Sequence, residues 1–270
     1  MAAIYEPKGA AREYSPLALN YQTGCDHGCV YCYVPKMMQR FNTGYIHSEV
    51  YQKEEQCLLR EIEASAKKHY KSEKQVFLSF TTDPYTYLNN ETKITRKVLK
   101  ILLKYKIPVS ILSKGGYKIL QDLDLFKEFG ENIQVGCTLT FTDEKYAKAW
   151  EKNASLPKER LETIRILKEN GIRTWASMEP VISINQSLEI MDITHKYVDF
   201  FKIGKLNHMP KYETQINWTS FLNETINRMR RYNKQFYIKN DLYKFANNET
   251  ILFPHERDMD YLALKNTFEN

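Results

Sequence analysis

From Ala18 onward, short apolar runs alternate with longer stretches in which apolar residues recur every three or four positions. The runs read as strands: "ALNYQT" (18–23), "QVFLSF" (75–80), "IPVSILSKGG" (107–116), "NIQVGCTLTF" (132–141), "IRTWASMEPV" (172–181), "VDFFKIGKLN" (198–207) and "QFYIKN" (235–240). The intervening stretches have helical spacing. They are "EVYQKEEQCLLREIEASAKKHY" (49–70, with Val50, Cys57, Leu58, Ile62 and Ala66 inward), 95–105, 120–130, 156–171, 185–197 and 218–232. Pro157 in the first turn and Gly171 past the last turn punctuate one helix, and Gly130 closes another. One strand plus one helix recurs every roughly 25–35 residues, the signature of a parallel sheet with right-handed crossovers. That leaves a barrel or a doubly wound sheet. No linker or low-complexity segment interrupts the pattern, so a single domain over 1–270 is expected, with a core of about 17–242 and a short C-terminal extension of about 243–270.

Several expected strands end in a polar or charged group: Thr82 and Asp83, Lys114, Thr138 and Thr140, Glu179, Lys205 and Asn207. In parallel α/β folds the C-terminal strand ends build the active site. "GCDHGCVYCYVP", from Gly24, follows the first strand and lies at the same rim.

Composition narrows the class. Of 270 residues 43% are apolar and 27% charged, and no apolar run approaches the ~20 residues that span a bilayer. The opening "MAAIYEPKGAAREYSP" has no apolar signal core, so a cytoplasmic protein without a membrane partner is expected. Net charge +6 permits an anionic substrate or a nucleic acid without demanding one. "NRMRRYNKQFYIKN" (227–240) carries Arg228, Arg230, Arg231, Lys234 and Lys239 and no acidic residue. It reads either as a phosphate-facing surface or as a solvated helix C-terminus, where cations are favoured.

Three of the five cysteines, Cys25, Cys29 and Cys32, lie within eight residues, with no second pair. This suits a metal or redox site in a reducing compartment better than a disulfide framework. Structural zinc wants four ligands. His27 could complete a Cys3His set, and a non-enzymatic metal module binding nucleic acid through its basic surface is one alternative. Cys57 and Cys137 read as ordinary buried thiols. Three thiolates on a four-iron cluster would leave one iron open to a substrate or cofactor.

The spacing Cys25-x3-Cys29-x2-Cys32, with Tyr31 before the last cysteine, resembles the signature of the radical S-adenosylmethionine (SAM) superfamily. More narrowly, "LNYQTGCDHGCVYCYVP", "SFTTDPY", "ILSKG", "LTFTD", "KAWEKNASLPKERLETIRILKENGIRTWASMEPVI", "FFKIGKLNH", "INWTSF" and "FYIKNDL", from about Leu19 to Leu242, resemble the spore photoproduct lyase-related, or "DNA repair photolyase", group. The resemblance implies a partial (β/α)6 barrel, a [4Fe–4S] cluster on Cys25, Cys29 and Cys32, and reductive cleavage of SAM to a 5′-deoxyadenosyl radical. It also implies an electron donor, a reductase or a protein of the flavodoxin type, and it suggests DNA or RNA as substrate. By the same resemblance Tyr31 packs near the adenine, Thr82 and Asp83 meet the SAM amino group, Lys114 meets its carboxylate, and Thr138 and Thr140 meet the ribose. Glu179 meets ribose or substrate. Tyr31 and Tyr33, on both sides of the last cysteine, match tyrosines of the lyase, which places them with Glu179 among the catalytic candidates. Lys205, Asn207, His208, Lys239 and Asp241 are expected where substrate approaches. The lyase returns a hydrogen atom from a cysteine at the end of its second strand. Ser79-Phe80-Thr81 stands there instead, so a photoproduct lyase with an unusual hydrogen donor is a second alternative.

Overall fold

The computed structural model describes residues 3–40 and 48–268. The elements run in this order: β1 (Ile4–Tyr5), β2 (Leu17–Leu19), α1 (Val34–Gln39), α2 (Glu55–Lys68), β3 (Val76–Leu78), α3 (Tyr87–Thr92), α4 (Ile94–Lys104), β4 (Val109–Ser113), α5 (Leu123–Phe129) and β5 (Ile133–Thr138). They continue with α6 (Glu144–Trp150), α7 (Pro157–Glu169), β6 (Arg173–Met178), α8 (Ile184–Thr194), β7 (Phe200–Ile203), α9 (Pro210–Glu213), α10 (Trp218–Arg231), β8 (Gln235–Ile238) and α11 (Asn240–Tyr243). Spatial order follows chain order from β1 to β8 in one sheet. β2 to β8 pair parallel, one strand more than the six of the expected partial barrel, and β1 adds an antiparallel edge beside β2. Among the described residues β1 does not meet β8, so the barrel stays open.

The period-two alternation of each strand sorts its residues onto two faces. Leu17 and Leu19, Val76 and Leu78, Val109 and Ile111, and Ile133, Val135 and Cys137 join the helices in the larger core. The alternate positions Ala18, Phe77, Leu112, Trp175, Phe200 and Tyr237 form a second, inner cluster. Register lines Leu112, Gly136, Trp175 and Phe200 across four strands. Gly136 is required there: a Cβ would come within 2.6 Å of the Trp175 indole. That indole stacks on Phe200 at 5.6 Å and donates to the Ile111 carbonyl at 3.0 Å.

Two terminal segments finish the barrel. The C-terminal extension crosses the N-terminal ends of the strands. Leu262 enters the inner cluster, the Leu264 amide donates to Gln75 Oε1 (2.8 Å), and Asn266 Nδ2 donates to the Ser72 and Lys106 carbonyls. The segment between β1 and β2 lies against the far edge of the sheet. Glu13 accepts from the Tyr237 hydroxyl (2.8 Å) and the Asn240 amide (2.7 Å), and buried Lys202 donates to the Glu13 and Tyr14 carbonyls, both at 2.8 Å.

Helix boundaries follow local capping. α2 begins at Glu55, later than the periodicity from residue 49 suggests, because the Glu54 carboxylate accepts from the Gln56 and Cys57 amides. Cys57 is therefore half-exposed in the first turn rather than inward. Cys137 is fully buried, as expected. No helix among the described residues is long and apolar enough to cross a membrane.

Candidate active site

A cavity of about 350 Å³ opens at the C-terminal ends of the strands. Cys25, Cys29 and Cys32 all line it, from the loop between β2 and α1. That loop is shaped by Gly24 (φ 89°) and Gly28 (φ 61°), in the left-handed region that favours glycine. The Gly24 amide donates to the Thr81 carbonyl at 2.9 Å, docking the loop on the residues after β3.

The polar groups on this side divide into paired and unpaired. Asp83 is paired: its carboxylate accepts from the Ser113 hydroxyl (2.6 Å) and from the Tyr85 and Lys114 amides (both 2.8 Å), bracing the end of β3 against the end of β4. Lys114 Nζ has no hydrogen bond or ion pair among the described residues and lies 5.5 Å from the centre of the Tyr31 ring. Burial lowers the affinity of its amine for a proton, but the negative charge around it, that of the Glu151 and Asp83 carboxylates included, outweighs this and its pKa is raised. His27 is buried with neither ring nitrogen hydrogen-bonded, between Asp26 and Asp83 at 3.8 and 3.6 Å. Burial dominates its titration and lowers its pKa.

The thiols are held in their neutral form. Burial pushes Cys29 up to about 12 and raises Cys25 and Cys32 as well. Buried thiols in this state become ligands when a metal ion displaces their protons, which are released to solvent, and its positive charge stabilises the thiolates. Among the described residues no three His, Cys, Asp or Glu side chains converge closely enough to hold a single metal ion. A multi-iron cluster would spread its thiolate ligands over separate irons and would leave one iron open with only three of them, so it suits three thiols arranged around one cavity.

The opposite wall comes from β6 to β8 and the N-terminal segment. Glu179 accepts from the Tyr14 hydroxyl (2.6 Å) and forms an ion pair with Lys239, whose ammonium lies 4.3 Å from the Tyr14 ring centre. Tyr14 also meets the Ser177 hydroxyl at 3.0 Å. Gly204 lets the pair pack closely, since a Cβ there would sit 2.9 Å from the Glu179 carboxyl carbon. Lys205 Nζ is bound by Glu213 (2.7 Å), Asn207 (3.0 Å) and the Leu206 carbonyl (2.5 Å). Phe77 and Phe80, stacked at 4.5 Å, give the cavity an apolar patch.

Of the residues expected from the sequence, Tyr31, Tyr33, Thr82, Asp83, Lys114, Thr138, Glu179, Lys205, Asn207, His208 and Lys239 all line the cavity with the cysteines. Thr140 and Asp241 are not among its lining residues. Thr140 is fully buried beyond the last residue of β5, with an unpartnered hydroxyl, and Asp241 on α11 pairs at 2.8 Å with Lys244, just past the end of that helix. The charges of the basic run are largely answered within the fold. Arg228 faces Glu224 and Asp192, Arg230 binds Glu256 at 2.8 Å, and Lys239 is buried against Glu179. Sequence reasoning missed Tyr14, Ser177 and Phe77. Ser177 could have been found from Thr138, its neighbour in register on β6. No local pattern marks Tyr14.

The chain matches the Radical SAM superfamily over residues 19–198, two thirds of its length. It is 29% identical over 231 residues to an uncharacterized protein of Methanocaldococcus jannaschii, covering 79% of this chain and 85% of that one. Among solved structures it is similar to spore photoproduct lyase complexed with dinucleoside spore photoproduct (TM-score 0.63, 16% identity, 88% of this chain and 78% of that one). It is also similar to Streptococcus suis SuiB bound to S-adenosylmethionine (TM-score 0.58, 14% identity, 87% of this chain and 55% of that one). At these identities the structural likeness is one of fold.

Proposed function

The chain belongs to the radical SAM superfamily, a superfamily of enzymes, and we propose that its cavity holds a [4Fe–4S] cluster on Cys25, Cys29 and Cys32 with SAM beside it. The observation that carries this reading is the convergence of the three thiols and the unpaired Lys114 ammonium on one cavity. When bound, the cluster and SAM supply a one-electron cleavage that yields a 5′-deoxyadenosyl radical able to abstract hydrogen. The chain's own residues bind, orient and enclose. Lys114 offers a charge-assisted contact to the SAM carboxylate. Thr82, just after β3, and Thr138, at the end of β5, present hydroxyls at strand ends on either side of β4, and Tyr31 presents a ring face beside Lys114. Asp83 is committed to holding β3 and β4 together, and the amino group of SAM would meet a carboxylate already fixed by three donors.

Substrate enters past Lys205, Asn207 and His208 and meets Glu179, Lys239 and Tyr14. We take it to be anionic, with nucleic acid the class the resemblance implies, and we take the electron donor to be a reductase or a flavodoxin-type protein. The phosphate-facing reading of residues 227–240 has little support, because Arg228, Arg230 and Lys239 are paired internally. The test is anaerobic reconstitution with iron and sulfide, then SAM and a strong reductant, with chromatography for 5′-deoxyadenosine. Wild type should form it and Cys29→Ala should form none. A Cys29→Ala protein that still assembles the cluster and cleaves SAM would overturn the reading.

A further inference from the structure

Residues 150–155, from the end of α6 toward α7, line no part of the cavity, yet they are bound repeatedly to the cysteine loop. The Val30 amide donates to the Trp150 carbonyl (2.8 Å), and the Asn153 amide to the His27 carbonyl (3.0 Å). Asn153 Nδ2 donates to the Asp26 carbonyl (2.8 Å), and Cys29 and Glu151 pair as an antiparallel bridge. The Glu151 carboxylate accepts from the Tyr31 hydroxyl and pairs with Arg160 on α7, and the side chains of both partners are at least 98% buried. Arg160 is fixed in turn, donating from Nε to the Ser155 carbonyl (2.8 Å) and from Nη1 to the Thr138 carbonyl (3.1 Å). A continuous set of contacts thus runs from the end of β5 through Arg160 and Glu151 to Tyr31 and the ligand loop.

Taking two charges out of water costs about as much as their attraction returns, so a buried pair is weak evidence for stability and its geometry is the better guide to its role. The loop it grips has two glycines at positive φ and so a wide choice of conformations when undocked. Ordering a site beforehand removes that loss from the binding step. We infer that Glu151, with Arg160 behind it, is a positioning residue that holds Tyr31 and the 25–32 loop in ligand-ready form before iron and sulfide arrive. The inference rests on the cluster reading above.

Amide hydrogen exchange of the cluster-free protein, read by mass spectrometry, tests it. Tyr31→Phe, Asn153→Ala and Glu151→Gln should each speed exchange in residues 25–33 by about tenfold, the worth of one or two lost contacts, with protection of 133–138 and 173–178 unchanged. Iron uptake from limiting iron and sulfide should slow in the same three variants. A purely structural role would instead lower protection throughout. If Glu151→Gln strands the Arg160 charge and does not fold, Tyr31→Phe and Asn153→Ala decide, because both leave the ion pair intact. Exchange at 25–33 within about twofold of wild type in those two variants overturns the inference, and leaves the proposed function standing if wild type assembles the cluster. A wild type that takes up no iron overturns the proposed function, and this inference with it.

Discussion

On the cysteine side of the cavity, Lys114 faces the interior without a carboxylate partner, three thiols are kept protonated by burial, and both His27 nitrogens go without hydrogen bonds. Across the cavity, Glu179 is held by Lys239 and Tyr14, Lys205 by Glu213 and Asn207, and Glu13 by Tyr237 and Asn240. Buried polar groups are ordinarily paired, and each exception asks for a missing partner. The first side is incomplete by itself and has the character of a receptor. The second is complete and has the character of a wall whose shape and charge are set in advance.

The contrast can be broken at several points. Replacing Cys25, Cys29 and Cys32 together with Ala should abolish iron and sulfide retention while the protein stays folded, since the thiols give up only weak contacts from the backbone at His27, Asp83 and Val34; iron retained by the triple variant would sink the receptor reading. Lys239→Met acts on the wall and should do the reverse. It leaves the Glu179 carboxylate without its cation and should cost about 3 kcal/mol of unfolding free energy with iron content unchanged, as measured by denaturant titration and iron assay. A loss below about 1 kcal/mol would mean that the wall's ion pair is no more than a surface contact. Lys114→Met should weaken SAM binding to the reconstituted protein by about 2 kcal/mol, roughly thirtyfold, with little change in stability. Calorimetry would show this, and unaltered affinity would remove Lys114 from the receptor.

The smallest effect concerns Lys202, which burial pushes down from 10.5 to about 7. Between those values the unfolded chain binds more protons than the folded one, so the contribution of Lys202 to stability rises with pH. The cost of burying its charge is present in full below pH 7 and is relieved as pH climbs. From pH 7 to 8.5 this amounts to about 1–2 kcal/mol. Lys202→Met should show a less positive stability slope than wild type over that interval, and identical slopes would contradict it.

Much of this arrangement is legible in the chain. The seven parallel strands come from apolar runs, and the cysteine loop and strand-end polar groups come from position alone. What escaped has three physical causes. Short elements such as β1, α1, α3 and α6 are too brief for a period to establish itself. Contacts between distant residues leave no local trace: Tyr14 meets Glu179 165 positions away, and Tyr31 meets Glu151 120 positions away. Thr140 shows a third limit. Alternation places Thr138 inward on β5, but the strand ends there and the parity ends with it.

The wall joins residues more than two hundred positions apart, which sets the sequence of events during synthesis. Because strand order follows chain order, each strand can dock on its predecessor as it leaves the ribosome. Glu13 is made long before its partners Tyr237 and Asn240, which lie 224 and 227 positions later. A nascent chain can therefore complete the receptor side while the wall is still missing, and the cavity gains its second face only when the last strand is delivered.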